Sequence, residues 1–241
     1  MTLQVLQNKE QIRAARAKLE ARGLSSLPSA LKQRFAATVA RFGVAPPLVL
    51  GDFVKSWDLL TSIEFLENNV SRNSAILDIG AYASEILVAL KKAGFTNLTG
   101  VDLNPRLNKM PYQDEIKYVT SDFMTTPFAD ASFDAVTSIS VIEHGFDPER
   151  LMKETARILR PGGYFVASFD YWREKIDTGN TRFFGMDWLI FSEQDVTAML
   201  AIAAKYGLEP VGALHPETAD RAIEHGGYHY TFGWMALQRR P

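Results

Sequence analysis

The sequence predicts an α/β fold: a doubly wound, mostly parallel seven-stranded sheet with an antiparallel C-terminal strand, preceded by an N-terminal helical extension. Three observations predict it. From residue 74 onward, short apolar runs of strand length alternate with helical stretches, the signature of a parallel sheet covered by helices. Glycine or proline marks most of the helix ends. The last two apolar runs have no convincing helix between them, so they are expected to pair as a hairpin, one strand running against the rest.

The elements follow in order. Residues 8–22 are rich in Ala, Arg, Lys, Glu and Leu and stop at Gly23, a helix and its cap. Pro28 restarts the chain, 29–42 reads as a second helix ending at Gly43, and Pro46-Pro47 breaks it. A third helix is expected over 55–69, which makes 1–70 a helical extension or lid and 71–241 the sheet domain. Strands are then expected at 75–79, 98–102, 116–120, 133–138, 164–169, 208–214 and 230–238. Helices are expected at 84–93, at 148–159 with Pro148 in the first turn, and after the Ser192 cap as far as Tyr206.

Composition narrows the function. The 241 residues are 46% hydrophobic, enough for one α/β domain with a sizeable core. Net charge is −2 with no basic stripe, so no nucleic-acid partner is expected. The chain has no cysteine, which rules out disulfides, thiolate nucleophiles and Cys-ligated zinc. Its first residues are polar and charged, and no run nears the roughly 20 apolar residues of a membrane span. A cytoplasmic protein that does not insert into membranes is the expectation.

Ligands of open α/β sheets bind at the carboxyl ends of the strands, so the first strand-to-helix loop is the place to look. It reads Ile76-Leu77-Asp78-Ile79-Gly80-Ala81-Tyr82-Ala83-Ser84-Glu85. Gly80 stands where backbone must pass close to a ligand without a Cβ. Asp102 ends the second strand 22 positions later, a carboxylate suited to accept from two ribose hydroxyls.

With these residues the sequence resembles the class I S-adenosylmethionine-dependent methyltransferases, Rossmann-like enzymes, over roughly 74–241. Leu77-Asp78-Ile79-Gly80, Val101-Asp102-Leu103 and Ser121-Asp122-Phe123 match motifs of the family. So do the run from Phe133 to His144 and the turn Arg160-Pro161-Gly162-Gly163. The resemblance implies a methyltransferase with S-adenosylmethionine as cofactor and S-adenosylhomocysteine as product. It implies that Asp78 orients the loop or meets the methionine ammonium through water, while Gly80 and Ala81 pass beside the methionine. Asp102 would hold the ribose, Leu103 would pack on the adenine, and Asp122 and Phe123 would address its edge. Ser138 and Ile139 would line the far side. The chain departs from the family's Gly-x-Gly-x-Gly: Tyr82 and Ser84 stand at the second and third glycines. Tyr82 adopts a positive φ only at a cost, and Ser84 suits a helix cap.

The acceptor is expected at loops on the same sheet end. Tyr171 and Trp172 follow the fifth strand and are the candidate substrate contacts, in a loop that also holds Phe183, Phe184, Trp188 and Phe191. The last hairpin loop, about 215–229, offers Asp220, Arg221, Glu224, His225 and His229. Lys55 is placed near the entry, and Trp57 is expected to pack. Methyl transfer needs mainly alignment and exclusion of water, and a hydroxyl acceptor gains from a general base. His144 and His229 are the candidate bases, and oxygen on a small molecule or saccharide is the expected acceptor. Glu143-His144 resembles a segment of metal-assisted methyltransferases, but Ser140 stands where those carry an acidic residue, so no metal is assigned. The competing readings are an NAD-dependent oxidoreductase or epimerase, which the missing glycines and the lack of a Tyr-x-x-x-Lys helix disfavour, and a non-catalytic binding module.

Overall fold

The computed structural model describes residues 3–27, 48–145, 147–183, 185–212 and 219–241. The expected helix over 29–42 and residues Phe184 and His215 lie outside them. A strand β1 (Leu3–Val5) opens the chain, followed by helices α1 (Lys9–Ala21) and α2 (Ser56–Asn69). The sheet domain then runs β2 (Ala75–Ile79), α3 (Ile86–Lys92), β3 (Asn97–Asp102), β4 (Ile116–Thr120), β5 (Phe133–Ile139), α4 (Pro148–Ile158) and β6 (Leu159–Tyr171). A small hairpin of β7 (Arg182–Phe183) and β8 (Met186–Asp187) precedes α5 (Glu193–Lys205), β9 (Leu208–Pro210), β10 (Ile223–His225) and β11 (Tyr228–Arg239).

The main sheet runs β1-β11-β6-β5-β2-β3-β4, with β9 and β10 also paired to β11. Pairs β5–β6, β2–β5, β2–β3 and β3–β4 are parallel, and β11 runs antiparallel to β6 and β9. The seven expected strands are all present in this mixed order. The winding reverses between β2 and β5, which puts a crevice at their carboxyl ends. All five residues of β2 are buried, as a central parallel strand requires.

Several expectations are corrected. α3 starts at Ile86, not Ser84, and its cap position is Glu85 with no side-chain cap bond. The Ser84 hydroxyl faces Asp78 and accepts only a long contact, 3.5 Å, from Ile86 N–H at the helix start. β6 begins at Leu159, because the Pro161-Gly162-Gly163 turn is taken up as an irregularity in its pairing with β5. β9 is three residues long, and β10 stands between it and β11. The sequence predicts no strand before Ala75, yet Leu3–Val5 pairs with residues 233–235 of β11. Three residues are too short for their alternation to stand out locally; β11 supplies the missing ladder partner.

α2 packs on the sheet with an unusual face. Its buried side includes Ser56, Asp58 and Ser62 beside Leu59, Ile63 and Leu66. Each polar group is matched: Arg16 donates to Ser56, Ser168 to Asp58 and the Trp234 indole to Ser62. Buried hydroxyls and carboxylates are tolerated when so paired.

Candidate functional site

A cleft of about 890 Å³ opens at the crevice, within the size range of small-molecule sites. The loops after β2, β3, β4 and β5 line it with Gly80, Asp102, Leu103, Phe123, Ile139 and His144. The N-terminal extension adds Gly51, Asp52, Lys55 and Leu59, and Met186 of β8 closes one side.

Gly80 has φ +74°, and a Cβ there would lie 2.3 Å from Cγ2 of Val141. The glycine is therefore required first by the packing of the β5 loop. The amides of Gly80 and Ala81 both donate to the carbonyl of Val101, at 2.9 and 3.1 Å. Tyr82 is not left-handed; the non-glycine residue of the loop that is, Ala83, has φ +61°. Tyr82 N–H donates to Asp102 Oδ2 at 2.9 Å and Asn104 N–H to Oδ1 at 2.8 Å, which fixes the carboxylate at the tip of β3. Each oxygen keeps acceptor capacity for a ligand hydroxyl.

Asp78 is buried in β2, and its Oδ1 accepts from the Thr137 hydroxyl at 2.7 Å. Burial pushes its carboxyl up to about 7, against the pull of the Thr137 and Ser84 hydroxyls. Oδ2 of Asp78 and the Ser138 hydroxyl are buried without a close hydrogen bond among the described residues; neither residue lines the cleft, and neither does Ala81. Ala81 is buried. Asp122 does not line the cleft: its carboxylate accepts from Met124 N–H and pairs with Arg150 at 3.1 Å, while Phe123 beside it does.

The candidate bases part company. His144 lines the cleft, and burial lowers its pKa, partly opposed by Asp170. His229 is exposed on the β10–β11 hairpin, opposite Glu224, outside the cleft. Tyr171 is buried with Phe169, and Trp172 stacks under Arg221 at 4.3 Å. Neither lines the cleft, because β6 extends through Tyr171 and carries it into the core. Phe183, Trp188 and His225 form a packed aromatic group and Phe191 lies on Phe169. Trp57 packs, as expected.

Behind the acceptor end lies a polar cluster that motif spacing does not reveal. The Lys55 ammonium donates to Ser140 Oγ at 2.6 Å, stands 3.8 Å from Asp170 and 3.9 Å over the Phe232 ring. Buried Asp58 accepts from Ser168 at 2.8 Å, and burial pushes it up to about 6. Burial, reinforced by Asp170, raises the Glu143 carboxyl well above the carboxylate range. Asp170 accepts from the Trp188 indole at 2.8 Å. The Lys55 cation thus faces the buried carboxyl groups of Asp58, Glu143 and Asp170, a polar interior made by α2, β5 and β6 together. Glu85 is likewise a cleft residue that the motifs leave out. The polar spacing within 55–58, which reads as a helix start, was the available signal.

Residues 77–167 match the profile of a methyltransferase domain family. That stretch, less than half of the chain, is similar to a methyltransferase domain, in keeping with the motifs. A mycobacterial protein described as an uncharacterized methyltransferase (Mycobacterium sp., strain KMS) is 33% identical over 115 residues, 46% of this chain and 45% of that protein. The 27-O-demethylrifamycin SV methyltransferase of Amycolatopsis mediterranei (strain S699) is 31% identical over 96 residues, 36% of this chain and 35% of that one. The matches thus span less than half the length of these curated relatives. Among solved structures, the [4+2]-cyclase SpnF is similar in fold, with a TM-score of 0.58 and 14% identity over 79% of this chain and 83% of that one. Among the described residues no helix is long and apolar enough to cross a membrane.

The cleft of the methyltransferase domain fits the family's cofactor. Leu103 offers a side chain that is 57% exposed, an apolar surface of the kind a ligand covers. The two buried groups without a close hydrogen bond, at Asp78 and Ser138, do not line the cleft but stand just before Gly80 and Ile139, which do, and a water there would complete them.

Proposed function

We propose that this chain methylates a small molecule or saccharide at oxygen, with residues 71–241 as the methyltransferase domain and 1–70 as an extension closing the acceptor side. The observation that carries the reading is the convergence of Gly80, Asp102, Leu103, Phe123, Ile139 and His144 on one cleft at the switch point of the sheet. Asp102 would hold the ribose, Leu103 and Phe123 the adenine with Asp122 at the rim, and Gly80, Asp78 and Ser138 the methionine end. When bound, the cofactor supplies a methyl group already activated on a sulfonium. The chain's own work is alignment, exclusion of water by Leu59, Met186 and the extension, and removal of one proton. His144 is the residue placed to take that proton. Burial keeps its imidazole neutral near pH 7, so it accepts the proton the acceptor hydroxyl loses as the new O–CH3 bond forms. A low net charge and a relative named for a rifamycin substrate support a small acceptor rather than nucleic acid.

Calorimetric titration with S-adenosylmethionine and S-adenosylhomocysteine tests the first half. The folded chain is expected to bind both, and binding of neither overturns the reading. His144→Gln tests the second: S-adenosylhomocysteine binding should persist while turnover on a panel of hydroxylated acceptors falls about 100-fold or more. Equal loss of binding would make His144 part of the pocket wall rather than a base.

A further inference from the structure

The loop from Gly80 to Glu85 lacks two glycines of the family pattern, yet it still makes a left-handed turn, at Ala83. A residue with a Cβ stays there only where its surroundings hold it. We infer that the N-terminal extension sets the shape of this cofactor loop in place of the missing glycines, with Arg16 and Glu85 as the positioning pair. The inference rests on the methyltransferase reading above.

Two contacts carry it. The Gly51 N–H donates to the Ala83 carbonyl at 2.8 Å, gripping the left-handed residue itself. Gly51 has φ +74°, and a Cβ on it would stand 2.5 Å from Oε2 of Glu85, so the glycine moves from the loop to the segment that braces it. The second contact is a buried ion pair. Arg16 of α1 donates to both Glu85 oxygens, at 3.2 and 3.1 Å, and the two side chains are only 4% and 3% exposed. Its remaining N–H groups go to Ser56, Ser25 and the Asp52 carbonyl, so all five donors of the guanidinium are used. Ser26 N–H donates to Glu85 as well, and Lys92 of α3 reaches Ser25 and Ser26. The extension thus holds the loop at its left-handed residue and at its last residue. Gly51 and Glu85 both line the cleft, so a shift in this brace alters the pocket directly.

The test is calorimetric titration of the full chain with S-adenosylhomocysteine, alongside circular dichroism and thermal melting. Arg16→Met and Glu85→Gln should each weaken binding by about tenfold or more, the size of a coupling between adjoining sites. The double variant should bind no worse than the poorer single one, because both act through one contact. Ala83→Gly should recover most of the loss in the Arg16→Met background, since glycine takes the left-handed turn without a brace. That rescue separates loop shaping from general stability. Should Arg16→Met fail to fold, Arg16→Lys keeps the charge but loses the fork, with the same direction expected. Wild-type affinity in a folded Arg16→Met, or no rescue by glycine, overturns the inference. Absence of binding by the wild type instead overturns the methyltransferase reading beneath it.

Discussion

The two walls of the cleft are built on different physics. The sheet wall is local: Gly80 follows its strand, and Asp102 is oriented by amides of Tyr82, 20 positions away, and of Asn104, two away. The extension wall is remote. Arg16 meets Glu85 across 69 positions, Lys55 meets Ser140 across 85, and Asp58 meets Ser168 across 110. The first wall is backbone geometry at strand ends. The second is buried polar side chains satisfied only when the whole chain has come together. A motif describes the first kind of wall and is blind to the second.

The contrast can be broken at either wall. The largest effect is expected at Gly80→Val. Its Cβ meets Val141 and its φ is left-handed, so loss of measurable S-adenosylhomocysteine binding and about 1–3 kcal/mol of stability should appear together in calorimetry and chemical melts. Asp58→Asn probes the remote wall through pH. The folded carboxyl sits near 6 against 3.8 in the unfolded chain, so its favourable contribution is complete below about 4 and is lost as pH rises through 6. The melting temperature of Asp58→Asn relative to wild type should climb between pH 4 and 7, by an equivalent of a few kcal/mol at most; a flat difference would mean that Asp58 titrates normally. Ser62→Ala strands the buried Trp234 indole N–H and should cost about 1–3 kcal/mol in denaturant melts. Smallest is Tyr82→Gly: the amide bond to Asp102 survives, so affinity should stay within about threefold of wild type. A large loss there would show that the tyrosine ring, not the loop backbone, shapes the pocket.

These outcomes also measure how much of the molecule is legible in its sequence. The strands of the sheet, its mostly parallel winding and the place of the crevice follow from alternation, turn residues and chain reversal; β2 to β5 stand within a residue of expectation, whereas β6 starts earlier and β9 is shorter. Gly80, Asp102, Leu103, Phe123, Ile139 and His144 converge because each is fixed by a strand end. Tyr171, Trp172 and His229 do not join them. The length of β6 and the register of the β10–β11 hairpin decide where those side chains point, and neither is written in local pattern. Tyr82 stays out of the left-handed region that would cost it most; the turn falls at Ala83, where Gly51 holds it. Asp58 and Glu85 escape notice because a charged residue early in a helix ordinarily signals solvent. The SpnF likeness adds a reminder that this fold by itself does not name a reaction.

The pairing of β1 with β11 has a consequence for how the molecule is made. Leu3 lies opposite Met235, so β1 closes its ladder only once β11, far along the chain, is in place. Until β11 is in place, β1 has no ladder to join. Contacts so distant in sequence form late, so the docking of β1 should follow the assembly of β2 to β6. A chain halted before residue 228 would hold every residue of the family motifs and still lack the strand that β1 joins.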